Sequence, residues 1–171
     1  NTRRLEAVSG AGAFRRSLEM EQVLATVAGL LKTSTEEVVP GLERMIERQR
    51  DLEKDLSALR QSQRATVTEQ IHSSFTGDRV VARVDGYPGD ALRTMATDLQ
   101  RRGRRLVVLA GTDDAKVSIA VATDGSVDAV ATVKSLASHV GGGGGGSAQL
   151  ALAGGRDAAG IPALLAAAEL L

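Results

Sequence analysis

The chain contains no cysteine and no tryptophan. Without cysteine there can be no disulfide, no thiolate metal site and no thiol nucleophile, a pattern that fits a cytoplasmic setting. Phe14, Phe75 and Tyr87 are its only aromatic residues. That is too few for the stacking platforms on which single-strand binders seat bases. The formal net charge is zero, with 21 basic and 21 acidic residues, so no bulk field favours nucleic acid or a lipid surface. No uninterrupted apolar run approaches the roughly 20 residues of a membrane helix, and no membrane partner is expected. The first residues are Asn-Thr-Arg-Arg, with neither an initiator Met nor an apolar signal core behind them. The chain therefore reads as a piece of something larger.

What the chain has in abundance is glycine, 19 in all, six of them consecutive from Gly141 to Gly146. Such a run offers only backbone, and ordering it is entropically costly. It is either a flexible spacer or a surface that another backbone or a phosphate approaches closely. Only 24 residues follow Ser147, too few for a second domain, and they are apolar and patterned. A glycine-rich loop inside one globular unit is the preferred reading. Its N–H groups would suit an anion, and a tight packing role stands as the alternative. Ser147 stands where a P-loop requires Lys, so that motif is excluded.

Three zones follow from periodicity. Residues 1–33 hold a short strand-like start, Arg3 to Val8, and an amphipathic helix from about Ala13 to Lys32. In residues 34–72, Ser34 and Glu37 have capping-box spacing. Beyond Pro40 and Gly41, a helix from Leu42 to His72 is free of Pro and Gly. Leu42, Met45, Gln49, Leu52, Leu56, Leu59, Gln63 and Thr66 fall on a 3,4 spacing. A seam that narrow needs a partner helix, either the preceding helix of the same chain or its copy in a second chain.

Residues 73–171 alternate strand and helix. The spacing predicts strands at Arg79–Asp85, Leu106–Ala110 (central in a sheet), Val117–Ala122 and Leu150–Ala153. It predicts helices at Asp90–Arg101 (with Asp90 as the cap), Val127–Val140 and Ile161–Leu171. The expected fold class is α+β: a long, coiled-coil-like helical arm followed by a small α/β globular domain with a mixed sheet.

Chemistry-bearing residues are sparse. His72 and His139 lack metal-ligand spacing, Asp113-Asp114 reads as a solvated turn, and no serine is paired with a base. No catalytic or metal-ligating residue is assigned. The best binding patch is Arg101-Arg102-Gly103-Arg104-Arg105, four guanidinium groups around one turn, which suit phosphate oxygens. A solvated basic turn is the alternative. Lys134 and Arg156 flank the glycine zone and can join the patch. Residues 73–171 carry ten basic and ten acidic residues, so binding there requires clustering.

The string VARVDG…ALRTMATDL…VVLAG…VSIAVATD…VK…HVGGGGGGSAQLALAGG resembles the C-terminal region of bacterial alanyl-tRNA synthetase. The globular half is similar to the DHH-associated domain shared by that enzyme and a group of phosphoesterases. The opening RRLEAVSG resembles the tail of the synthetase's editing domain. The resemblance spans essentially the whole chain. It implies a helical arm carrying a globular domain that binds the tRNA elbow, couples aminoacylation with editing and dimerises. It places tRNA contacts at Arg101, Arg102, Arg104, Arg105, Lys134, His139, Gly142, Gly143, Gly144, Gly145 and Arg156. Leu42, Met45, Leu52, Leu56 and Leu59 would serve oligomerisation. The parent family uses ATP, Mg and Zn, but this stretch holds neither the adenylate-forming domain nor the zinc site of the editing domain, and no cofactor is expected in it. The family loop carries a basic residue where Gly143 stands, and a basic-Pro-Asp run where Ser147, Ala148 and Gln149 stand. Leu152 replaces the usual Gln, while Ala151, Ala153, Gly154 and Gly155 remain. Two other functions stay open: the substrate-binding domain of a DHH-type phosphoesterase, although the Asp-His-His motif is missing, and a purely structural dimerisation arm.

Overall fold

The computed structural model describes residue 3 and residues 9–171. The strand-like start expected at Arg3 to Val8 lies outside the described residues apart from Arg3, which has no regular structure. The chain divides into two compact units, 1–59 and 60–171.

The first unit holds α1 (Ala11–Leu31) and the opening part of a long helix, α2 (Val38–Ser74). At about 1.5 Å per residue, α2 is about 55 Å long. Lys32 closes α1 in the left-handed conformation, and its N–H returns to the carbonyls of Ala28 and Gly29. The Ser34–Glu37 capping box does not form. Glu37 donates its backbone N–H to the Ser34 carbonyl at 3.1 Å, while the Ser34 hydroxyl turns to the Glu36 carboxylate. Glu36's own backbone N–H, together with that hydroxyl, holds the Glu36 carboxyl below the usual range. The seam residues Leu42, Met45, Leu52, Leu56 and Leu59 are all exposed, between 42 and 57 %. They therefore do not pack on α1, and the intrachain hairpin is not the arrangement seen.

The second unit begins inside α2, whose last turns pack on the globular core through Val67 and Ile71. Five strands follow: β1 (Arg79–Arg83), β2 (Leu106–Asp113), β3 (Lys116–Thr123), β4 (Gly143–Gly146) and β5 (Leu150–Gly155). Their order across the sheet is β1-β2-β3-β5-β4. The β1–β2 pair is parallel, linked by α3 (Gly89–Arg101), and the other pairs are antiparallel. The sheet is therefore mixed and the fold is α+β, as expected. Interior strands β2 and β3 read as near-continuous apolar runs because both sheet faces are covered. On one face Val80, Val107, Leu109 and Ala120 pack against Leu92, Met95 and Leu99 of α3. On the other, Val108, Ile119 and Val121 pack against α4 (Ala129–Ala137) and α5 (Ile161–Glu169).

Three expectations change in detail. Pro88, not Asp90, is the N-cap of α3, and no side chain caps it; Asp90 lies in the first turn. The helix expected from Val127 begins later, because the Asp128 carboxylate accepts from Val130 N (2.7 Å) and Ala131 N (3.2 Å) and sets the start. That helix ends at Ala137 and tightens into a 3-10 turn, Ser138–Val140. The glycine run, expected as a loop, is largely a strand.

Candidate nucleic-acid interface

β4 is the edge strand of the sheet, and all four of its residues are exposed. It pairs with β5 from Gly143↔Gly154 to Gly146↔Ala151. A two-residue turn, Ala148-Gln149, joins them: Ser147 N donates to Leu150 O (2.8 Å) and Leu150 N to Ser147 O (3.2 Å). Antiparallel alternation from that pair directs the N–H and C=O of Gly144 and Gly146 away from β5, toward the open edge.

The six glycines are not equivalent. A Cβ added at Gly142, Gly144 or Gly146 would collide with backbone of Gly154, Leu152 or Leu150 on β5. At Gly143 and Gly145 it would meet nothing within 4 Å. Period-2 geometry explains the alternation. The fold therefore requires glycine at 142, 144 and 146. At 143 and 145 it does not, and the bare backbone there faces solvent. At Gly143 the space for a side chain is present.

Three basic residues flank the glycine strand in the chain: Lys134, His139 and Arg156. His139 lies in the exposed 3-10 turn that leads into it. Arg156 follows β5, and its N–H donates to Val140 O at 3.0 Å, while Asp157 N donates to the same oxygen at 3.1 Å. Lys134 sits exposed in the last turn of α4. Among the described residues, none of these three is in an ion pair.

The arginine turn is less uniform than its sequence suggests. Arg104 is half-buried, and its guanidinium donates to the backbone carbonyls of His72 (2.7 Å), Phe75 (2.7 Å) and Gly77 at the end of α2. It caps a helix whose last carbonyls have no intrahelical partner. Arg102 pairs with Glu69 and, at 2.9 Å, with Asp98. The hydrogen bond from Arg102 holds the Glu69 carboxyl below the usual carboxylate range. Arg105 lies between Asp78 (3.5 Å) and Asp124 (3.4 Å). Among the described residues, Arg101 and Arg104 have no ion pair, and Arg104 is committed to backbone carbonyls, so Arg101 is the one of the four left without a partner.

Arg101 instead faces a groove of about 690 Å³ between the last turns of α2 and the outer side of α3. Arg64 and Arg93 line it as well, with Thr68, Thr94 and, at one end, Leu150. Sequence reasoning missed Arg64 and Arg93, because they are far apart in the chain and only the packing of α2 on the domain brings them together. Leu150 closes the β4–β5 turn, so the groove opens beside the far end of the glycine strand. Among the described residues, no group of three or more His, Cys, Asp or Glu side chains is placed to hold a metal ion.

Residues 77–171 match the family model of the DHHA1 domain. The chain belongs to the DHHA1 domain family. In an alignment of 176 positions that covers 98 % of this chain, it is 36 % identical to an alanine–tRNA ligase of Xanthomonas euvesicatoria pv. vesicatoria (strain 85-10), covering 20 % of that protein. An alanine–tRNA ligase of Paracidovorax citrulli (strain AAC00-1) is 34 % identical over 96 % of this chain and 18 % of its own. The chain thus spans about a fifth of the length of the curated relatives it matches. Among solved structures, RecJ of Thermus thermophilus in complex with Mn2+ shares the fold, with a TM-score of 0.53 and 16 % identity over 86 % of this chain and 27 % of that one. The C-Ala domain of Aquifex aeolicus alanyl-tRNA synthetase aligns over 52 % of this DHHA1 chain and 84 % of its own, with 22 % identity and a TM-score of 0.49.

Proposed function

We propose that this DHHA1 chain is the tRNA-binding and oligomerising C-terminal module of an alanine–tRNA ligase and performs no reaction itself. The observation that carries the reading is the alignment with alanine–tRNA ligases, which runs through both helices as well as the globular domain. The site chemistry agrees with it. An exposed glycine strand presents unpaired N–H groups, with cations at its entry and a basic groove at its far end. Such donors match phosphate oxygens by shape and charge rather than by base identity. In this reading the domain grips the elbow of tRNA and links aminoacylation with editing in the cytoplasm. ATP, Mg and Zn belong to other parts of the parent enzyme. The exposed seam of α2 pairs with its copy in a second chain.

A gel shift of the chain with tRNA and with a duplex DNA of similar length tests the reading. A shift with tRNA at lower protein concentration supports it; equal shifts, or none, contradict it. The fold shared with RecJ favours one competing reading, a substrate-binding domain of a phosphoesterase. Manganese-dependent cleavage of short oligonucleotides by this chain alone would establish that one instead.

A further inference from the structure

We propose that the groove between α2 and α3 is a second RNA contact, separate from the glycine strand, and that Arg64, Arg93 and Arg101 hold a phosphate backbone in it. The proposal rests on the RNA-binding reading above and extends it from Arg101 of the arginine turn to Arg64 and Arg93, which neither that turn nor the glycine run includes.

Three observations carry it. The groove is large, about 690 Å³, and is walled by two helices rather than by loops. Three of its side chains are guanidinium groups, and among the described residues none of them is in an ion pair. By contrast, the neighbouring Arg102 and Arg105 each take two carboxylates. The groove's acids leave this imbalance in place: Asp98 is engaged by Arg102 at 2.9 Å, and Asp90 is in the first turn of α3.

Guanidinium is the side chain best matched to phosphate oxygens, which it meets with paired donors. Arg93 and Arg101 stand eight positions apart on α3, about 12 Å along its axis. The two are far enough apart to reach different phosphates of one strand, with Arg64 on the opposite wall. The groove contains no exposed aromatic ring on which a base could stack, so the contact would be to backbone and indifferent to sequence.

The test is a filter-binding titration of the full 171-residue chain against an alanine-accepting tRNA transcript at several salt concentrations. The variants are the triple R64Q/R93Q/R101Q and its lysine counterpart R64K/R93K/R101K, with circular dichroism melts as the folding control. Each lost phosphate contact lowers the salt slope by about 0.7 to 0.9. The glutamine triple should lose about two units of slope or more and bind about 30- to 100-fold more weakly near 0.1 M salt. The lysine triple should keep the slope and lose less than about tenfold, because the charge persists while the paired donors do not. If the glutamine triple does not fold, exposed Arg93→Glu alone carries the test, with at least about tenfold weaker binding expected. Wild-type binding that survives the triple, or Arg93→Glu, within twofold and with an unchanged slope overturns the groove and leaves the RNA reading standing. Failure of the wild-type chain to bind tRNA at all overturns both.

Discussion

Replacing Arg104 with Ala removes the donors that close the end of α2. Two of its bonds are part-buried and well made, to His72 O and Phe75 O at 2.7 Å each; the third, to Gly77 O, lies in an exposed stretch. A hydrogen bond from a charged donor contributes about 1.5 kcal/mol or more when its acceptor is shielded from water. Counting the two shielded bonds gives about 3 kcal/mol, with Gly77 O resolvated at little cost. For a domain of roughly 100 residues, that lowers Tm by about 12 °C or more. Arg104→Lys is the discriminating control. The guanidinium reaches Gly77 O from one nitrogen and His72 O and Phe75 O from the other, a spread that the single nitrogen of an ammonium on a flexible stem does not match, so lysine should recover less than half of the loss. Urea and thermal melts followed by circular dichroism read both variants. A loss under about 0.5 kcal/mol for Arg104→Ala, or a lysine variant equal to wild type, would refute the capping argument. The same result bears on RNA binding: Arg104→Glu would weaken the fold and thereby mimic a lost contact, so charge reversals belong at Arg101 and Arg93.

Four further outcomes are expected. The β2–β3 turn puts Asp114 at φ 44° and Ala115 at φ 67°, a turn that favours Gly at its second position, so Ala115→Gly should stabilise by about 1 kcal/mol in urea melts. Gly144→Ala should push β4 off β5 and lose about 1–3 kcal/mol, whereas Gly145→Ala should fold like wild type; hydrogen exchange at Leu152 and Gly154, whose amides face β4, would separate the two. The Asp85 carboxyl is held below the usual range by the backbone N–H of Thr112 and by Arg83, Asp124 by the Ser126 hydroxyl, and Glu69 by Arg102. Folded values below the unfolded ones mean stability that is full above about pH 5 and lost as pH falls through the folded values, so urea midpoints should drop from about pH 5 to about pH 3 and less steeply in Asp85→Asn. Sedimentation velocity should show wild-type self-association that Leu52→Asp with Leu59→Asp abolishes; a wild-type monomer at every concentration would remove the dimer from the account.

Much of the fold is legible in the sequence because burial writes a period into it. Leu106–Ala110 and Val117–Ala122 read as strands because apolar runs of that length, bounded by turn residues, fit a sheet covered on both faces. From Leu42 on, the α2 helix reads from the absence of Pro and Gly and its 3,4 spacing, whereas its first turn takes in Pro40 and Gly41 and does not. β4 does not read at all, since a residue without a side chain carries no hydrophobic pattern; only the alternating collisions with β5 reveal it as a strand. The start of α3 misleads because Asp90 looks like a cap, while the chain enters the helix at Pro88 in an extended conformation. The arginine turn is visible as charge, but its division of labour is not. Arg104 is committed by the carbonyls at the end of α2, and Arg102 by Glu69 on the same helix, both of which depend on tertiary packing. Arg64 and Arg93 carry no local signal, and Arg64 on α2 meets Arg93 and Arg101 of α3 only across the groove.

The central claim is that a bare, hydrogen-bonding edge on this DHHA1 domain meets folded RNA. Amide chemical shifts of the 15N-labelled chain, followed as tRNA is added, address it residue by residue. The account predicts that Gly143, Gly144, Gly145 and Gly146 shift or broaden together with Arg101 and Arg156, while Ala163 to Ala168 on α5 stay in place. Glycine amides that remain unmoved at saturating tRNA, or shifts that gather on α5 instead, would contradict it.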